Sequence, residues 1–306
     1  MARASLGDAG GLEDMRRALD AATAQGLGRE VAVLHSNLAE RLWPIEGPRV
    51  RLEACREGSA FAERRGIEEF VFALARQTVQ TLVELGSHDE ATALAEDLVP
   101  RLEAAGDVFD LLQLRSAVVR VLTRRGEHAE VSPLADWAVE KARKLGDAQL
   151  IAQGCFPPTA TVRLGLEDAQ GAVSLLAELE ETINIRDTPY YPPALPEAVR
   201  TALAAGDPHL AARLADGVEP IYPLHEHALI TARALLSEHD GDHAGAAELF
   251  ADAAERWERF EVPWERAQAL LGEGRCLLAL GRSTEATEAL RQTRDLRHPR
   301  CPARPR

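Results

Sequence analysis

Glycine recurs through this sequence at a nearly fixed interval. Gly26, Gly66, Gly106 and Gly146 stand 40 residues apart. A second set, Gly47, Gly86, Gly126, Gly165, Gly206, Gly241 and Gly281, follows at spacings of 39, 40, 39, 41, 35 and 40. A period of this length marks one supersecondary unit repeated along the chain. Two turns per unit predict two helices per unit, because helices commonly end on a residue with positive φ, where glycine sits without steric cost.

Superposing the units by one period exposes the buried faces. Leu34, Leu74 and Leu114 align, then Leu38, Thr78 and Val118, then Leu42, Leu82 and Leu122, a stripe at i, i+4, i+8 that marks the buried face of each first helix. In the second helix the columns are Met15, Cys55, Ala95 and Ala135, then Ala18, Gly58, Leu98 and Ala138, then Ala22, Ala62, Leu102 and Ala142. Small residues recur where helices cross closely. Hydrophobic residues make up 46% of the chain but aromatics only 5%, so the apolar mass is Ala, Leu and Val, which favours helix packing over sheets.

Several function classes lose support. A net charge of -14 repels a phosphate backbone, which argues against a nucleic-acid partner. Cys55, Cys155, Cys276 and Cys301 form no CxxC pair, so neither a zinc site nor a disulfide framework is expected and a reducing cytoplasm fits best. Cys55, Cys155 and Cys276 read as small core hydrophobes. No stretch reads as a membrane span or a leader. No GxxxxGK[ST] loop, HExxH, GxSxG or kinase signature occurs, so no catalytic residue and no cofactor is predicted. His225, Glu226 and His227 with His239, Asp240, Asp242 and His243 are ligand types, but His225 and His227 point about 200° apart on a helix and His239 begins about 20 Å further along, so no metal site is expected. Trp137, Trp257 and Trp264 read as packing residues.

Two features break the pattern. Phe156, Pro157 and Pro158 fall inside the first helix of the fourth unit, where proline cannot donate the amide an interior turn needs, so a kink or late start is expected. Thr188 to Pro196, including Tyr190 and Tyr191, replaces a short turn with a Pro-rich connection. The expected organisation is an N-terminal half over 1–183, a bend over 184–196, a C-terminal half over 197–297 and a disordered tail over 298–306. Residues 12–24 match second helices, so the chain is expected to begin inside a repeat.

The positions after each inter-helix glycine carry a family resemblance. Gly241 is followed by Ala246, Phe250 and Ala253; Gly86 by Ala91, Ala95 and Leu98; Gly206 by Ala211 and Ala215; Gly281 by Ala286 and Leu290; and Leu271 and Gly272 stand before the last. This spacing resembles the tetratricopeptide repeat over about residues 11 to 296, although that repeat usually has 34 residues, and HEAT repeats are the architectural alternative. The resemblance implies an all-α, right-handed superhelical solenoid of antiparallel helix pairs with a period of about 40. Asn37-Leu38-Ala39, Glu84-Leu85-Gly86 and Asp89-Glu90-Ala91 further resemble the helical C-terminal regions of bacterial signalling proteins that carry an ATPase, a nucleotide cyclase or a LuxR-type DNA-binding module. None of those modules is present, so that likeness implies a sensor or scaffold segment.

In tetratricopeptide proteins the first helices line the concave side. Asn37 and Gln77 occupy equivalent positions there, as do Ser36, Arg76 and Ser116, then Glu40, Gln80 and Arg120, with Gln113 one turn before Ala117. Asn37, Arg76, Gln77, Gln80, Gln113 and Arg120 are therefore the candidate groove for peptide backbone or carboxylates. An ordinary solvated face is the plainer reading of the same residues. The functional expectation is a protein or peptide interaction module of a bacterial regulatory system. The alternative is a small-molecule sensor with its pocket near the Pro-rich bend, and an unrecognised enzyme is a third possibility.

Overall fold

The structure, a computed structural model, describes Arg3, Asp8 and residues 10–297; the expected tail and Cys301 lie outside the described residues. The described residues form helices and turns without a strand, as the repeat required. They are α1 (Gly10–Ala24), α2 (Gly28–Glu46), α3 (Pro48–Arg65), α4 (Glu68–Glu84), α5 (His88–Ala105), α6 (Val108–Arg125) and α7 (His128–Leu145). Then follow α8 (Phe156–Gly165), α9 (Ala169–Glu181), α10 (Leu195–Ala204), α11 (Pro208–Ala215), α12 (Pro223–His239), α13 (His243–Arg259), α14 (Pro263–Ala279) and α15 (Ser283–Arg297).

A Gly-Asp pair sets several of the turns. Gly106, Gly206 and Gly241 take φ of 69°, 86° and 85°, which ends the preceding helix. The next residue then caps the following one: Asp107, Asp207 and Asp242 accept from the amides of Asp110, Leu210 and Gly245 at 3.0, 2.9 and 3.0 Å. Each cap satisfies an amide that has no partner within its own helix. Helix crossing explains another glycine. A Cβ on Gly272 would come within 2.5 Å of Phe250, so the family-like pair Phe250 and Gly272 is one close contact between α13 and α14.

The helices form two layers. The first helices α2, α4, α6, α8, α10, α12 and α14 pack successively against one another, and each second helix packs outside its own first helix. The inner layer closes on itself, because α12 returns to pack against α2. Gly47 and Gly86 sit at this seam: Cβ atoms there would lie 3.2 Å from Phe260 O and 3.2 Å from Pro263. Arg49 Nε reaches Glu261 at 2.5 Å across it, and Arg124 stacks 5.0 Å from the Trp264 ring centroid.

The proline-interrupted helix resolves into a π-turn, Leu150–Cys155, followed by α8. Pro157 and Pro158 then occupy the first turn of α8, where a missing amide is tolerated. The bend over 184–196 contains two short 3-10 turns, Ile185–Asp187 and Pro192–Ala194. Tyr191 is fully buried there and donates its hydroxyl to Leu214 O at 2.9 Å. One apolar cluster runs from Ala138 through Tyr191 to Ala286, so the core is continuous across the bend.

Candidate functional site

Closure of the inner layer turns the concave face into a narrow polar lumen. A cleft inside it is lined by Glu40, Trp43, Arg51, Gln80, Glu84, Gln113, Ser116, Arg120, Gln149 and Gln153, among others, and has a volume of about 30 Å³. That is room for a few waters or a small molecule and too little for a peptide. A second cleft adjoins it, sharing Trp43, Glu84, Arg120 and Gln153 and adding Arg124, Glu197 and Glu265.

The structure brings most of the candidate groove residues together. Gln80, Gln113 and Arg120 line the cleft. Arg76 is buried behind them, where it donates from Nη1 to Gln80 Oε1 at 3.1 Å and Gln113 Oε1 at 3.0 Å. Its Nε faces Asp110 at 2.7 Å. Burial pushes the Asp110 carboxyl above its usual range, with Arg76 acting in the opposite direction. Gln77 is also buried and donates to Ser36 Oγ at 3.1 Å. Asn37 is half-buried and lines neither cleft.

The orientation of the Gln113 amide follows from its partners. Its Oε1 takes bonds from Arg76 and, at 2.6 Å, from Gln80 Nε2. A guanidinium can only donate, so the oxygen must face it and the Gln113 amide nitrogen must turn away. That nitrogen is buried without a partner, as are Arg51 Nε and Trp43 Nε1. Arg51 uses Nη2 on Glu40 at 3.2 Å and Gln80 at 3.4 Å, and its guanidinium lies 5.4 Å from the Trp43 ring centroid. Each unsatisfied buried donor costs about 1–3 kcal/mol.

Arg120 links the lumen to the proline interruption. Pro157 has no amide to give to Gln153 O, and that carbonyl instead accepts from Arg120 Nη2 at 2.7 Å. Arg120 also pairs with Glu84 at 3.6 Å and Glu197 at 3.5 Å, and Arg200 pairs with Glu265 at 2.7 Å. Burial disfavours the charge on both Arg120 and Arg124. For Arg120, Glu197, Glu84 and Glu265 outweigh burial and its pKa ends above the usual value, whereas Arg124, with Arg120 beside it, ends below.

The remaining reactive side chains are packed apart. Burial pushes the Cys155 thiol up to about 12 and Cys276 to about 11, unsuited to thiolate chemistry at neutral pH. His225 is fully buried between Ile221 N and Pro189 O at 3.2 and 3.1 Å. His227 meets the rings of Trp257 and Phe260 edge-on. Among the described residues no group of three or more His, Cys, Asp or Glu could hold a metal ion.

A different surface is open. Between α5 and α7, over α6, lies an outer groove of about 620 Å³ lined by Ala95, Val99, Pro100, Val118, Leu134 and Trp137 with Thr92, Glu96, Arg115 and Pro133. Arg115 stacks 4.5 Å from the Trp137 ring centroid at its floor. Candidate selection from the first helices missed this groove, because its walls are second helices. It also missed Trp43, Arg51, Glu84, Glu197 and Glu265. Arg51 had a signal: it stands in the column of Gly11, Ala91 and Val131, all buried.

No protein-family model matches the sequence, and no curated protein matches it. Among solved structures, the nearly identical TPR-like repeats of a kinesin light chain from Podosopora anserina are similar to 67% of this chain and 99% of their own, at 19% identity and a TM-score of 0.38. A single-substitution form of those repeats is similar over 65% and 96%, again at 19% and 0.38. The helix pairs and the small residues at their crossings make this chain an all-α stack of repeated helix pairs. None of its described helices is long and apolar enough to cross a membrane.

Proposed function

We propose that the chain is a non-catalytic interaction module whose protein partner docks in the outer groove between α5 and α7. The lumen is lined by α2, α4 and α6 but covered by α12 and the turn before α14 of the same chain, so a peptide could enter only by opening the seam. The outer groove is accessible and apolar. Two exposed prolines, Pro100 and Pro133, stand on its walls inside α5 and α7. Proline at a helix interior removes a backbone bond and is destabilising, so its presence on both walls favours a surface role over a structural one. This pair of prolines beside Trp137 carries the reading.

The partner segment is an apolar one with basic flanks, since the net charge of -14 attracts cations to its surroundings. Aromatic anchors such as Trp137 contribute disproportionately to such interfaces. A place in a cytoplasmic signalling or transcription-regulating system of a bacterium belongs to this proposal and rests on the sequence resemblance alone.

Capture of partners from the native lysate tests it when three proteins are run side by side. Wild type and Arg120→Met should retain the same partner, and Val99→Asp with Trp137→Ala should lose it. A photocrosslinker at Leu134 should join to that partner. Retention by the groove variant, or loss with Arg120→Met alone, overturns the docking site.

A further inference from the structure

We propose that the lumen cleft binds one small amino-acid-like zwitterion, its carboxylate held by Arg51, Gln113 and Trp43 and its ammonium by Glu84. This inference is independent of docking in the outer groove.

The first support is the surplus of donors. Arg51 and Gln113 are each 3% exposed and Trp43 9%, all three line the same cleft, and Arg51 Nε, Gln113 Nε2 and Trp43 Nε1 are buried without an acceptor. Three such atoms around one cavity call for a ligand that brings acceptor oxygens. Waters alone answer poorly, because each bridging water must also place its own hydrogens on acceptors. The acceptors beside these donors are already engaged, Glu40 by Arg51, Gln80 Oε1 by Arg76 and Arg51, and Gln113 Oε1 by Arg76 and Gln80, and the charged acceptor with capacity left is Glu84.

The second support is the kind of donor. One of the three is a guanidinium N–H, whose best partner is an ionised oxygen acid. A carboxylate has two oxygens and several lone pairs, enough to serve neighbouring donors at once. Trp43 also presents its ring to the cleft beside Val83 and Ala117, which suits a short apolar side chain.

The third is charge. The wall holds two arginines, Arg51 and Arg120, and two glutamates, Glu40 and Glu84, so it is balanced without a ligand. A bare anion would leave this enclosed space with an uncompensated charge, which is costly. A zwitterion adds none. Glu84 is the glutamate with capacity to spare, since its contacts to Arg120 and Arg124 are long, at 3.6 and 3.9 Å. The space of about 30 Å³ restricts the ligand to a small one.

Thermal unfolding of the full chain is the test, with glycine, alanine, acetate, acetamide and methylammonium as separate probes at matched concentrations. A ligand of the folded state raises the melting temperature. Glycine or alanine should raise it, and the other three should not. Trp43→Phe removes the indole N–H together with the five-membered ring while keeping a ring under Arg51, so its affinity, read against the variant's own unliganded melting temperature, should fall about tenfold. Arg51→Lys removes Nε and keeps the charge, and should weaken binding further. In wild type, the Trp43 indole N–H resonance should shift on adding the amino acid, a readout that needs no variant. The proposal is overturned if neither amino acid raises the melting temperature, if acetate does so equally, if Trp43→Phe binds as wild type, or if the indole resonance does not move.

Discussion

The inner lumen and the outer groove are built from the same repeat and have opposite characters. Inside, α2, α4 and α6 turn glutamines and arginines toward a space that the chain itself then closes. Outside, α5 and α7 leave an apolar trough beside Trp137 that none of the described residues covers. In a solenoid the first helices contact one another in a continuous layer, and polar groups on them become buried once that layer curves shut. Each second helix packs on its own first helix and on the next one but makes little contact with the neighbouring second helices, so gaps between them persist. Curvature of the stack, more than the composition of any helix, decides which face is left for a partner.

The buried histidines of α12 carry the largest expected effect. Burial pushes His225 and His227 down to about 4 from 6.5, with Arg256 and Arg259 also acting on His227. Between those values the unfolded chain binds more protons than the folded one, so stability is full above about pH 6.5 and falls as pH drops toward about 4. At about 1.4 kcal/mol per unit, each histidine contributes on the order of 3 kcal/mol. Asp110 acts oppositely: its raised pKa gives stability that is present at acid pH and lost as pH rises through the folded value. Urea unfolding at neutral and acid pH, repeated with His227→Phe, should show the acid loss shrink in the variant. An unchanged acid loss would place the titration elsewhere than His227.

Within the lumen, Arg76→Leu leaves Asp110 buried and unpaired and takes a donor from two glutamines. A loss of about 3–5 kcal/mol is expected in urea unfolding. Replacing Asp110 by Leu as well should recover much of it, because a buried pair exchanged for apolar residues is often near neutral. Failure of the second change to help would mean that the glutamines, and not the ion pair, carry the stability.

Arg120→Met removes the bond to Gln153 O and the pairing with Glu197, worth about 1.5–3 kcal/mol together as charged hydrogen bonding. Small-angle scattering should then show a larger radius if the seam loosens. An unchanged radius would show that apolar packing of α12 on α2 is sufficient to keep the lumen shut.

The outer groove should answer with the smallest effect and the opposite sign. Pro100→Ala supplies the amide that the carbonyl of Glu96 lacks and should raise stability by about 1 kcal/mol in thermal unfolding, while weakening partner capture. A variant less stable than wild type would show that Pro100 packs structurally and would weaken the case for docking there.

Much of the fold was legible because it is local. Glycine spacing, the stripe of Leu74, Leu82 and Leu114, and the small column of Ala95 and Ala135 follow from helix periodicity and turn sterics, and the structure buries all of them. The stripe was less complete than drawn, since Leu34, Val118 and Leu122 are only half-buried. The neighbouring Val79, Val83 and Val119 are buried instead, because a first helix touches both its second helix and the next first helix and so hides two faces. For the candidate site, periodicity placed Gln80, Gln113 and Arg120 on one inner face. It could not place Glu197 or Glu265 opposite them, as those come from units 77 and 145 residues beyond Arg120.

Sequence by itself determined the helices, their pairing and their order, because each depends on contacts within about one repeat. It also marked the proline interruption, although the π-turn that absorbs it, and the carbonyl that it frees for Arg120, appeared only in three dimensions. Tertiary structure alone decided that α12 meets α2. That contact depends on small rotations between successive units, which add over the whole stack and leave no signature in any single repeat. The polar face that reads as an open groove along the chain is, for this reason, the wall of an enclosed lumen.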